Sequence, residues 1–315
     1  MTKFVSVYFN GTCDTSTVPE QGKISLAALL AHTTKTDSNN YSFCVNGCGE
    51  SRDIRDFSVV FSFHLEKQVA DIIKKIEQII AESDDKIVLN VYGFSRGGIA
   101  AFLLCQKLKN SSKDRLTINV ASFEPVPVNF ITSVNGDRFF GTKSTLAAMV
   151  ADLTECDNID NMLILFTNQP LPDIWGFAPI LPALPTTCKL EVDVTPGRHV
   201  SAVSFYKEGQ SIQAQNNESA IVFHRIVGFM QQCGTTFNFQ QLQLDDNLAS
   251  GDSQQLLNLC TELANKTDDN KTRAMHLNNT IFTTANKAYL NIYHKKLSRV
   301  EDTSDEDCIL TIQHH

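Results

Sequence analysis

Ser95 stands between two glycines, in Gly93-Phe94-Ser95-Arg96-Gly97, directly after the apolar run 88–92 and directly before a helix-like stretch over 99–108. The order reads strand, sharp turn, helix. At such a turn the serine hydroxyl is exposed at the carboxyl end of the strand. Side chains at the flanking positions would collide with the neighbouring backbone, so glycines stand there. The start of the helix offers free N–H groups where negative charge would develop. This is the pattern of a nucleophile elbow, and the chemistry it prepares is attack by a serine oxygen.

Such a serine needs a base, and the base needs an orienting acid; at an elbow of this kind they follow in the order serine, acid, histidine. His199 is the expected base, because it follows a strand pattern and a Pro196-Gly197 turn that would bring an imidazole to the edge of the sheet carrying Ser95. His32 and His64 precede the serine, His224 sits in an apolar stretch as a packed residue, and His276, His294, His314 and His315 lie far along the polar end of the chain. Two acids remain open: Glu124, directly after the strand-like run 116–123, and Asp173, after the next strand. Asp193 is nearer His199 in sequence but falls within a strand pattern. The expected oxyanion donors are the N–H of Arg96 and one from Gly11 or Thr12, in the loop after the first strand. Trp175 and Phe177 lie in the proline-rich apolar run 168–187. That run is expected to line an acyl pocket, act as a lid or pack over the sheet.

The elements that must hold these residues can be read from periodicity. Residues 4–9, 87–92, 116–123, 162–167 and 190–194 read as strands, with 200–206 as one more. Residues 65–82 carry Val69, Ile72, Ile76 and Ile79 at helical spacing, and 142–154 also reads as a helix. Residues 13–57 are polar and read as loops and short helices. Strands alternating with helices predict an α/β fold, a mainly parallel sheet covered on both faces. The expected organisation is a domain over 1–233 and a polar helical appendage over 234–315, with helices at 254–266 and 272–296 and an acidic tail at 301–307.

Several short motifs, in the same order, resemble the DUF2235 group of α/β-hydrolases, which includes phospholipase effectors of type VI secretion. Phe9-Asn-Gly-Thr12 resembles that group's opening Phe-Asp-Gly-Thr, and Gly93-Phe-Ser-Arg-Gly97 matches its elbow. Val45-Asn-Gly-Cys-Gly49 is similar to its Gly-x-Gly loop, and Pro196-Gly-Arg-His199 to its Pro-Gly-x-His segment. The likeness spans about residues 1–205. It implies a Ser–acid–His hydrolase acting on esters, lipid esters among them.

The expected function is therefore cleavage of carboxylic esters through an acyl-enzyme, with no cofactor. The rival reading is a catalytically inactive hydrolase fold serving as an interaction module, one form of which is a secreted bacterial effector. The ligand classes expected are a small-molecule or lipid ester, with contact to a membrane surface through Trp175 and Phe177 and to a protein through the C-terminal helices left open. A net charge of -8 with scattered lysines and arginines argues against nucleic acid. Nine cysteines, an odd number without a zinc-ligand spacing, argue for thiols in a reducing compartment and against a metal site. No signal-peptide architecture opens the chain. The expected location is the cytoplasm, or a host cytosol reached by a signal-less secretion route.

Overall fold

The computed structural model describes residues 2–48, 65–126, 150, 152–167, 179–195, 197–240 and 242–249. Six parallel strands form the central sheet: β1 (Thr2–Phe9), β3 (Asn40–Val45), β4 (Lys86–Phe94), β5 (Leu116–Phe123), β6 (Ile159–Thr167) and β7 (Lys189–Thr195). Their spatial order is β3-β1-β4-β5-β6-β7. The chain leaves β1 toward one edge, returns to β4 on the other side of β1, and then steps outward strand by strand. The winding direction therefore reverses between β1 and β4, and a crevice opens beyond their carboxyl ends, where sheets of this type bind ligands.

Helices cover both faces. Helix α2 (Leu65–Glu82) and helix α3 (Arg96–Leu108) pack on one side, where Val5, Val7 and Phe9 of β1 and Ile87, Leu89 and Val91 of β4 meet them. The other side takes the alternate residues, Tyr8, Tyr92 and Phe123, and packs them against α1 (Leu26–Thr33) and α4 (Asn217–Gln232). Burial of both faces explains why the central strands are near-continuous apolar runs. The buried positions of α2 (Val69, Ile72, Ile76 and Ile79) recur every three or four residues, the spacing of one helix face.

A smaller sheet, in the order β10-β9-β8-β2, lies on the α1/α4 side and contributes Ile24, Phe205 and Ile212 to that core. It consists of β2 (Gln21–Ser25), β8 (Ser204–Glu208), β9 (Ser211–Ala214) and β10 (Gln243–Leu244).

One polar feature crosses the main sheet. Asn161 Nδ2 donates to Asn119 Oδ1 at 2.7 Å, and Asn119 Nδ2 to Asn90 Oδ1 at 2.9 Å. Asn90 Nδ2 in turn donates to Thr235 Oγ1 and to the Cys233 carbonyl. The three asparagines are direct partners across β4, β5 and β6.

The structure differs from the sequence expectation in three places. The segment 13–57 holds β2, α1 and β3, and β3 is a full member of the parallel sheet. Residues 200–206 begin as a 3-10 turn (Ser201–Val203) before β8, because the chain must fold back onto the start of α4 there. Residues 152–154 are not helical: Asp152 bridges to Ala183, and Leu153 N–H donates to the Ala183 carbonyl. The rest of the expected 142–154 helix falls almost entirely outside the described residues.

After Gly234 the chain adds β10 beside β9 and a short helix, α5 (Asp246–Ala249), against α4. The helices expected at 254–266 and 272–296 and the acidic tail lie outside the described residues. No helix among the described residues is long and apolar enough to cross a membrane, and the described cysteines form no disulfide.

Candidate active site

β4 ends at Phe94 and α3 begins at Arg96, so the whole reversal of the chain falls on Ser95. The serine pays for it with a left-handed backbone, φ 55° and ψ −119°. Conformations of this kind cost about 1–3 kcal/mol each and persist only where the surroundings impose them. Here Ser95 N–H donates to the Phe123 carbonyl, and the Ser95 carbonyl accepts from Gly98 and Val126 N–H. A Cβ on Gly93 would lie 2.6 Å from Gly98 N, and one on Gly97 2.7 Å from the Asn10 carbonyl oxygen. The elbow closes only because neither side chain exists.

Glu124 is the residue directly beyond β5 and also has positive φ, 47°. Its Oε1 accepts from Thr167 N–H at 2.7 Å. That bond turns the carboxylate across the ends of β5 and β6.

His199 sits between β7 and the 3-10 turn. Its loop is tied to the start of α4 by Asn216 Nδ2 and Ser219 Oγ, which both donate to the Ser201 carbonyl. Phe94 packs on the imidazole with ring centroids 4.9 Å apart.

These three elements bring three side chains into line. His199 Nε2 lies 2.9 Å from Ser95 Oγ, and His199 Nδ1 lies 3.2 Å from Glu124 Oε2. All three residues are buried, Ser95 at 2 %, His199 at 3 % and Glu124 at 1 % exposure. Between the two acids that the sequence left open, Glu124 is the one seen in contact with His199. Asp173, Trp175 and Phe177 lie outside the described residues. Asp193 is occupied elsewhere, paired with Arg225. His224 is packed as expected, its Nε2 2.8 Å from the Asn247 carbonyl.

The loop after β1 reaches the same crevice. Gly11 lies against the Phe94 ring, in the space a Cβ would need. Asn10 anchors the loop: Nδ2 donates to the Val45 carbonyl, and Oδ1 accepts from Ser25 Oγ. An asparagine can both donate and accept in this way, whereas a carboxylate only accepts. Among the described residues no acceptor takes the N–H groups of Gly11, Thr12 or Arg96.

Two side chains of this neighbourhood carry no signal in the sequence. The Asp14 carboxylate comes within 3.3 Å of the Cβ position of Gly11. Burial pushes its pKa up, against the opposing influence of Lys23 and His199. A carboxylate five residues beyond the end of a strand carries no motif, so only the folded loop shows where it lies. The other is the side chain of Arg96, 5 % exposed, whose Nη1 donates to Thr12 Oγ1 at 2.7 Å.

No family model matches the sequence, and no curated protein matches it. Solved structures with similar folds include an uncharacterized protein from Pseudomonas aeruginosa, at TM-score 0.47 and 11% identity, covering 98% of this chain and 52% of that one. This chain thus spans about half the length of that protein. Est1E from Butyrivibrio proteoclasticus aligns at TM-score 0.39 and 11% identity, covering 73% of this chain and 88% of that one. Human thioesterase 2 aligns at TM-score 0.35 and 10% identity, covering 74% of this chain and 99% of that one.

Proposed function

We propose that this chain is a serine hydrolase that cleaves carboxylic esters through an acyl-enzyme, with Ser95 as nucleophile, His199 as base and Glu124 as orienting acid. The observation that carries the reading is the unbroken line from Ser95 Oγ through His199 Nε2 and Nδ1 to Glu124 Oε2, 2.9 Å and 3.2 Å. In the first half-reaction His199 Nε2 takes the hydroxyl proton as Ser95 Oγ bonds to the ester carbonyl carbon. The carbonyl oxygen becomes an oxyanion facing the N–H groups of Arg96 and of Gly11 or Thr12. Collapse expels the alcohol, which receives the proton from His199. Water then attacks the acyl-enzyme with His199 again as base, releasing the acid and restoring Ser95. Glu124 keeps the Nδ1 proton in place and stabilises the imidazolium.

The motif likeness to the DUF2235 group belongs to this proposal and makes lipid esters the substrate class to screen first. The test is labelling with a fluorophosphonate, followed by mass mapping of the adduct, on wild type, Ser95→Ala and His199→Ala. The expected result is an adduct on Ser95 of the wild type that is absent from Ser95→Ala and slowed by about 10³-fold or more in His199→Ala. Folded wild-type protein that takes no adduct, even from a small probe, would overturn the proposal in favour of the interaction-module reading.

A further inference from the structure

Arg96 supplies more to the crevice than a backbone N–H. Its guanidinium is buried, yet among the described residues no carboxylate pairs with it. Nη1 donates to the hydroxyl of Thr12, and the buried Nε finds no acceptor among the same described residues. Burial pushes the guanidinium pKa down, and the thiols of Cys48 and Cys13 lie beside it. A buried cation held by one neutral partner is costly, and an apolar side chain of the same length would fit such a place at lower cost.

The surroundings show what the cation does. Cys13 N–H donates to the Cys48 carbonyl at 2.9 Å, and Thr12 Oγ1 lies 3.7 Å from Cys48 Sγ. A Cβ on Gly47 would overlap the Gly11 carbonyl oxygen, so the loops after β1 and β3 touch backbone to backbone. With the Gly11 carbonyl turned toward Gly47 and accepting from Asp14 N–H, the Thr12 N–H on the same planar peptide points the opposite way. Arg96 joins this pair of loops to the first turn of α3. The two expected oxyanion donors, on α3 and on the β1 loop, are bridged by the side chain of one of them.

We propose that the Arg96 side chain is a positioning residue for the oxyanion site: it clamps Thr12 at a fixed distance from the Arg96 N–H, and the negative charge that the described residues do not supply to it is the one that develops on the substrate oxygen. The inference rests on the hydrolase reading above. Its physical content is that the cation has no counter-charge among the described residues in the ground state and gains one in the transition state, which is the condition for lowering a barrier.

The test compares Arg96→Met, which keeps bulk and loses charge, with Arg96→Lys, which keeps charge. Thr12→Val breaks the clamp, and Thr12→Ser preserves it. The readouts are the maximal rate and half-saturating concentration of fluorophosphonate labelling, with thermal melting as a check of folding. Arg96→Met is expected to lower the maximal rate by about 10- to 100-fold with little change in half-saturation, Arg96→Lys to recover most of that loss, Thr12→Val to fall between them, and Thr12→Ser to lose less than Thr12→Val. Equal losses in Arg96→Met and Arg96→Lys would assign the residue to packing alone and overturn the proposal. Wild-type rates in Arg96→Met would also overturn it. If Arg96→Met does not fold, Thr12→Val carries the test, and an unchanged rate there refutes the clamp. An unlabelled wild type refutes the hydrolase reading and this inference with it, whereas a labelled wild type with unaffected variants refutes the inference only.

Discussion

Replacing Glu124 with glutamine forces one amide to serve two neighbours with opposite needs. Thr167 N–H donates to Oε1 and can only donate. The residue is 1 % exposed, so an amide nitrogen facing that N–H would leave two buried donors opposed. The amide oxygen must therefore take the Oε1 place, and the NH2 group must face His199 Nδ1. Nδ1 then has to accept, the ring proton moves to Nε2, and Nε2 points its hydrogen at Ser95 Oγ. The hydroxyl loses its base without any change in position. Loss of the correct tautomer in this way costs about 10³–10⁴ in rate, or about 4–5.5 kcal/mol of barrier. Folding stability is expected to change by no more than about 1 kcal/mol, because both hydrogen bonds survive. Glu124→Ala, by contrast, orphans the Thr167 N–H and His199 Nδ1 together and is expected to destabilise by about 1–3 kcal/mol for each. The assay is the fluorophosphonate labelling rate beside a urea melt of each variant. A Glu124→Gln protein that melts like wild type and is labelled within about tenfold of its rate would refute the argument from the tautomer.

Two further outcomes follow from the packing of the loop after β1. Gly97→Ala places a methyl 2.7 Å from the Asn10 carbonyl oxygen and still nearer that of Phe9, so α3 or the β1 loop must give way. Stability is expected to fall by about 1–3 kcal/mol and labelling to slow with it; a variant that keeps both wild-type values would show that the elbow has slack. Asp14→Asn tests electrostatics: burial raises the pKa of Asp14, so the folded chain holds this proton more tightly than the unfolded chain. The stability that the group contributes is then fully present in acid and is lost as pH rises through the folded pKa. Asp14→Asn is expected to be more stable than wild type at about pH 7, with the difference vanishing by about pH 3 in urea melts; a difference independent of pH would contradict this account.

The parts of this fold that could be read from sequence are those whose burial is uniform or strictly periodic. α2 shows its isoleucines at helical spacing, and β5 is buried at all eight positions, so both read at once. β3 could not be recognised in the same way. It is an edge strand with every residue of Asn40–Val45 half-buried, and its alternation of Tyr41, Phe43 and Val45 with Asn40, Ser42 and Cys44 is short and set in a polar stretch. α1 left a weak mark in Ser25, whose side chain accepts from Ala28 N–H at the start of an apolar stretch. The 3-10 turn after His199 was read as strand because Val200, Ala202 and Val203 suit either state, and its hydrogen bonds go to α4, distant in sequence. At the site, spacing pointed to Ser95 and His199, but the choice of acid depended on which strand end lies level with the imidazole. The Arg96 side chain left no trace in the sequence, because residue type alone does not reveal that a cation is buried.

The row of asparagines across the sheet works as an alignment key for a centre some distance from it. Asn90 is paired with Asn119, and four residues further along the same strands Phe94 is paired with Phe123. The residues that follow these phenylalanines are Ser95 and Glu124. A slip of one residue between β4 and β5 would turn the amides to the opposite face, against the isoleucines and leucines of the α2/α3 core. Amides buried there without partners are costly, so neighbouring registers are penalised as the parallel strands assemble. The same slip would set serine and carboxylate out of step by about 3.3 Å, the rise of one strand residue. Proofreading of the sheet and levelling of the Ser95 and Glu124 positions are thus one operation, performed by three side chains four residues back along the strands.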